Sequence, residues 1–174
     1  MHERMSDALV KLMESADGPL VVVTTVAEDE RAGCVVGFHS QSGVAPARYS
    51  MWMSKANHTY RVALRAEHLA VHFLQEGDVA VARHFGTQCG QDVDKFADLG
   101  WSVGPGGVPL IDHLPHRIVL RKLMILDDGG DHVCISGDIL DVSSGGAFAP
   151  LRLSAANHWE PGHTPAERAI DPTR

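Results

Sequence analysis

Apolar residues recur along this chain in two rhythms, and the changes of rhythm mark its elements. Met5, Leu9, Leu12 and Met13 fall at helical spacing behind Ser6 and Asp7, which predicts a short amphipathic helix ending near Gly18-Pro19. From Leu20 to Val26 the chain turns rich in valine and threonine, the composition of a strand. Glu28-Asp29-Glu30 then reads as a turn and Ala32 to Phe38 as its hairpin partner, with Arg48 to Ser54 as a third strand. Asn57, a strong N-cap residue, opens a segment that reads as a helix through Val62, Ala63, Ala66, Leu69 and Ala70, and Ala70 to Leu74 follows as a short apolar strand.

Asp78 caps a further helix through Val81 and His84, and Asp92 to Leu99 reads as another. Trp101 to Pro115, with three glycines and two prolines between residues 104 and 109, predicts a loop long enough to shape a pocket rim. Arg117 to Leu126 and His132 to Val142 are the clearest strands, joined by Asp127-Asp128-Gly129-Gly130-Asp131, whose glycines and acids suit a reversing turn. After Glu160, prolines at 161, 165 and 172 stand among charged residues with little to bury, so residues 160–174 are expected to be an irregular tail. Residues 1–159 then form one domain, mainly β with short helices, best read as a small β-barrel with helical decoration.

Composition narrows the partners. The 174 residues are 44% hydrophobic, enough for a sizeable core, and no shift in composition divides them. Acidic residues outnumber basic ones 22 to 15, and the lysines and arginines are scattered, so no nucleic-acid partner is expected. Cys34, Cys89 and Cys134 are an odd number, far apart, and two sit in apolar runs as small hydrophobes do, which suits a reducing cytoplasm. No apolar stretch approaches the ~20 residues that cross a bilayer, so a soluble cytoplasmic protein without a membrane partner is expected.

The chemistry is less explicit. Free amides at a helix start attract anions, and Lys55 lies two residues before the Asn57 cap, so a phosphate could sit there. The plainer alternative is a capped surface helix beside a solvated lysine. Among the 11 histidines only His113-Leu-Pro-His116 has ligand-like spacing, and Pro115 breaks any helix that would align the pair, so no metal is expected and solvated histidines are the better account. There is no Gly-x-Ser-x-Gly elbow, and Gly104-Pro105-Gly106-Gly107 does not fit a dinucleotide fingerprint. His132 opens a strand on the face shared with Cys134 and Ser136; it could meet a carboxamide or phosphate, or simply face water.

Taken in order, the segments resemble the flavin reductase family, whose members fold as an FMN-binding split β-barrel and commonly work as homodimers. The likeness spans roughly residues 5 to 155. It rests on Val22-Val23-Thr24-Thr25, Gly33, the Gln41-Ser42-Gly43-Val44-Ala45-Pro46-Ala47 stretch, and Lys55-Ala56-Asn57-His58-Thr59, which is similar to the family's phosphate turn. Asp94-Lys95-Phe96, Gly130-Asp131-His132, Gly137-Asp138-Ile139 and Pro150-Leu151 extend it.

The resemblance implies that the flavin, FMN or FAD, lies against Val36, Gly37, Phe38, His39, Gln41 and Ser42. It implies that the phosphate sits at Ser54, Lys55, Ala56, Asn57 and Thr59, with Lys95 and Phe96 contributing. His132 matches the family's nicotinamide-side histidine, where NADH or NADPH would stack. The implied activity is NAD(P)H:flavin oxidoreduction, with a flavin-dependent monooxygenase as a possible recipient of reduced flavin. Where the family carries threonine and serine on its glycine strand, this chain has Val35 and Gly37, so fewer hydroxyls would face the flavin, as suits a flavin that comes and goes. Two other functions fit the same barrel: a flavin- or deazaflavin-bound oxidoreductase with its own small organic substrate, and a non-catalytic flavin- or haem-binding protein.

Overall fold

The computed structural model describes residues 2–162, so most of the expected tail lies outside the described residues. The elements are α1 (His2–Ala16), β1 (Val21–Ala27), β2 (Glu30–Val36), β3 (Phe38–Val44), β4 (Ala47–Ser54), α2 (His58–Arg65) and β5 (His68–Phe73). They continue with α3 (Val79–Thr87), β6 (Trp101–Val103), β7 (Pro109–Ile111), β8 (Arg117–Leu126) and β9 (His132–Ser143). Seven strands form one antiparallel sheet in the order β2-β1-β5-β8-β9-β4-β3, and β6 and β7 pair separately. Val21, Val23 and Cys34 from one end of that order share a buried cluster with Met51 and Met53 from near the other, together with Val133 and Ile135. The sheet therefore curls on itself around this cluster as a split β-barrel.

Strand β1 is apolar at consecutive positions because both its faces are covered. Val21 and Val23 point into the barrel, while Val22 joins Leu20, Phe85, Phe96 and Ile111 in a second cluster under α3. Strands covered on two faces lose the apolar–polar alternation of half-exposed ones. The turn to β2 uses two residues, Glu28 (φ 51°) and Asp29 (φ 66°), both in the left-handed region that a primed hairpin turn requires. Gly33 is a close approach between layers: a Cβ there would lie 2.7 Å from Cε1 of Phe85. No larger residue lets α3 sit down on β2.

Several expectations change. Helix α2 stops at Arg65 instead of running through Ala70, since Ala66 is already extended and Leu69 and Ala70 belong to β5, paired with Thr25 and Thr24. Asp92 to Leu99 is a series of turns: the Asp94 carboxylate accepts from the Phe96 amide, and Lys95 turns inward to donate to backbone carbonyls. Trp101 to Pro115 holds the β6–β7 hairpin within the expected loop. Strand β3 begins at Phe38, where the β2 partner was expected to end, and the sequence gives it no apolar rhythm because it is a sheet edge with Ser40, Gln41 and Ser42 exposed. His116 is buried and stacked on Phe148 at 4.1 Å, contrary to the expected solvated histidine, while His113 is exposed. Helix α1 forms, but Leu9, Leu12 and Met13 lie on its uncovered face.

Candidate functional site

Where β2 passes into β3, opposite the starts of α2 and β9, the structure leaves an open cavity of about 380 Å³. Its walls come from six places. Val36, Gly37 and Phe38 supply the strand junction, and Trp52 and Ser54 supply β4. Asn57 and His58 supply the α2 start, and His132 supplies the first residue of β9. Phe85, Gly86 and Cys89 close the α3 side, and a C-terminal segment adds Leu153, Ala156 and Trp159.

The α2 start is built by the Asn57 cap, whose Oδ1 accepts from the Thr59 amide at 3.1 Å. Next to it the His58 imidazole meets Glu30 through Nε2 at 3.1 Å, while its Nδ1 is buried without a hydrogen-bond partner among the described residues. Leaving such a group unpaired costs about 1–3 kcal/mol. Lys95, only 5% exposed, reaches the same region and donates to Gly33 O at 3.0 Å and Phe85 O at 2.9 Å. Both acceptors are neutral carbonyls, so burial pulls the ammonium below the usual lysine range, chiefly by desolvation. An anion at this corner would offset the cost at Lys95.

Of the residues implied by the family resemblance, Val36, Gly37, Phe38, Ser54, Asn57, Lys95 and His132 line the cavity. Others are engaged elsewhere. His39 bonds Tyr49 Oη at 2.7 Å and Pro19 O at 2.8 Å. The carbonyl can only accept, so Nε2 carries the proton and Tyr49 donates to Nδ1. Gln41 folds onto Gly43 O, and Ser42 accepts from Ser50. Lys55 pairs with Asp127 at 2.7 Å across the β8–β9 turn, and that contact holds the Asp127 carboxyl below the usual range. Ala56 and Thr59 are buried behind the cap, and Phe96 packs edge-on to Phe85.

His132 stands 5.5 Å from the Phe38 ring, with Nδ1 2.9 Å from the Asp131 carboxylate, which favours a proton on that nitrogen. His58, Trp159 and the Phe85-Gly86 edge of α3 are absent from the sequence-based site. His58 lay within the phosphate-turn motif and was readable there. Trp159 carried no motif, and only the fold brings it over Gly86.

The cavity suits a flat heteroaromatic ring with an anionic tail: aromatic and aliphatic side chains form much of its wall, and the Lys95 ammonium stands at one corner. That is the shape and charge of a flavin mononucleotide. The model of the flavin reductase like domain matches residues 13–155. This chain belongs to that family. Among the relatives of this flavin reductase-like protein, FMN reductase (NADH) SmoA of Agrobacterium fabrum is 27% identical over 138 residues, covering 74% of this chain and 76% of SmoA. The fold is shared with a nitrilotriacetate monooxygenase component B homologue from Mycobacterium thermoresistibile at a TM-score of 0.75 and 20% identity, covering 87% of this chain and 83% of that one. Flavin reductase HpaC, solved with NADP+, superposes at 0.72 and 19% identity, covering 84% of this chain and 92% of HpaC.

Proposed function

We propose that this flavin reductase-like protein oxidises NADH or NADPH and passes the hydride to FMN or FAD bound in the first cavity. The observation that carries this reading is the pairing of apolar walls with a buried cationic corner, in a chain of this family. Bound flavin would supply the redox chemistry, and the protein supplies position and field. Lys95 and the α2 start hold the phosphate end by charge-assisted hydrogen bonds. Phe38, Trp52 and Trp159 confine the ring and keep water from it. His132 marks the nicotinamide side, where, with the proton held on Nδ1 by Asp131, Nε2 is left to accept from the carboxamide N–H.

Phe38, Trp52, Cys134 and Leu126 lie opposite one another across β3, β4, β9 and β8, so they share one face of the sheet. Phe38 is 53%, Trp52 41% and Leu126 55% exposed. Such a continuous apolar row supports a homodimer that covers it beside the cavity. The relative named as a monooxygenase component supports delivery of reduced flavin to a separate oxygenase.

The test is anaerobic oxidation of NADH and NADPH by purified protein with and without FMN or FAD, following nicotinamide absorbance and flavin bleaching together. Oxidation that requires added flavin and bleaches it stoichiometrically is expected. Flavin binding with no nicotinamide oxidation would overturn the assignment.

A further inference from the structure

One wall of the first cavity is the C-terminal segment, residues 151–162, which lines it through Leu153, Ala156, Trp159, Pro161 and Gly162. We propose that Asp17, which stands outside the cavity, is a positioning residue for the flavin: it fixes the root of this segment and so holds Leu153 and Trp159 against the ring end of the ligand. The proposal rests on the flavin-reductase reading above.

The root is spliced into the barrel. The Leu151 amide donates to Leu74 O, its carbonyl accepts from the Leu20 amide, and the Leu153 amide donates to Gly18 O. Asp17 closes the splice with both carboxylate oxygens: Oδ1 accepts from the Ser154 amide and Oδ2 from the Ser154 hydroxyl, each at 2.8 Å, while its carbonyl accepts from Arg152 at 2.9 Å. These bonds, the Ser154 amide first, hold the Asp17 carboxyl below its usual range. Directly after α1, Asp17 sits at φ 42°, a conformation few residues other than glycine, asparagine and aspartate adopt.

Beyond Ser154 the segment is held differently. Among the described residues, the hydrogen bonds of 155–162 stay within the segment, and its tip rests on apolar contact. Trp159 packs on the cluster under α3 and lies over Gly86, where Val35 also meets it. Leu153 fills the space over Gly37, where a Cβ would come within 3.0 Å of its Cδ1. The segment therefore covers the two strand positions, Val35 and Gly37, that carry no hydroxyl. A wall fixed at one end and held by dispersion at the other depends on that fixed end, because an unpinned segment must be ordered again each time a ring settles under it. The influence is confined to the ring: the second cavity, about 270 Å³ beside His58, Gly90 and Lys95, has none of 151–162 among its lining residues.

The experiment measures FMN and riboflavin affinities by calorimetry in the wild type, Asp17→Gly, Trp159→Ala, Trp159→Phe and the Asp17→Gly/Trp159→Ala double variant, with urea midpoints as a check on folding. Glycine suits the backbone at φ 42° and removes only the carboxylate. Asp17→Gly is expected to weaken FMN and riboflavin by the same factor, at least threefold. Trp159→Ala should weaken both at least as much, and Trp159→Phe should restore most of the loss. The double variant should fall within twofold of Trp159→Ala alone, since the clamp acts through a residue already removed. Ser154→Ala, which deletes only the hydroxyl bond, should give a smaller loss of the same kind and carries the test if Asp17→Gly lowers the urea midpoint. Unchanged flavin affinity in the clamp variants, a loss confined to FMN, or losses that add in the double variant overturn the positioning role and leave the flavin reading standing while the wild type binds FMN. A wild type that binds no flavin overturns both.

Discussion

Lys95 and Lys55 separate two ways of holding a phosphate. Lys95 lines the cavity as a buried cation with neutral partners, while Lys55 is held by Asp127 in the β8–β9 turn. A charge-assisted hydrogen bond contributes about 1.5–3 kcal/mol, so Lys95→Met should weaken FMN binding roughly 10- to 100-fold. Riboflavin, which lacks the phosphate, serves as the control; equal losses for both ligands would place Lys95 in the fold and not at the phosphate. Lys55→Ala should cost much less. At the nicotinamide side, His132→Ala is expected to raise the KM for NADH several-fold with FMN affinity unchanged, and wild-type nicotinamide kinetics would remove it from the site. His72 has a different role. Buried between Val22 O and the Ile111 amide, it is held neutral, with its pKa depressed to about 4 mainly by desolvation. Below pH 6.5 the unfolded chain takes up a proton that the folded protein refuses. Stability present above that pH is therefore lost as the pH falls toward 4, by about 3 kcal/mol. Urea midpoints from neutral pH down to the acid end should fall accordingly, and His72→Gln should flatten that slope.

The elements that the sequence made legible are those whose environment is simple. The β8–β9 hairpin shows in its turn residues, the β1–β2 hairpin in Glu28-Asp29, and the α2 start in Asn57, because each signal is local. Strand β5 was blurred into the preceding helix because it is central and buried, so Leu69 and Ala70 continue an apolar spacing that no longer means helix. Strand β3 was missed as a whole for the opposite reason: an exposed edge needs no apolar residues. The site divides in the same way. The Val36–Phe38 junction, Ser54, Asn57, Lys95 and His132 followed from motif order, whereas Trp159 and the α3 edge reach the cavity through long-range packing that no local pattern records. His39 and Lys55 show the converse, since residues placed by motif order have their side chains engaged by Tyr49 and Asp127.

At the scale of the whole molecule, the apolar row on the outer sheet and the first cavity share Phe38 and Trp52, so assembly and binding are expected to be coupled. Trp52→Glu places a charge in that row. It should shift the mass measured by light scattering from dimer to monomer and weaken FMN in the same variant; a wild type already monomeric at micromolar concentration would remove the dimer. The rows beyond are polar: Ser50 bonds both Ser42 and Ser136, and Asp138 is held between Arg48 and Arg121. Those rows fix strand register without adding apolar surface. Two of the chain's three tryptophans, Trp52 and Trp159, border the first cavity, one from the sheet and one from the C-terminal segment. An indole excited in the ultraviolet beside a flavin hands its energy to that flavin instead of emitting it. A flavin bound in that cavity would therefore dim the protein's own emission, and its departure would restore it.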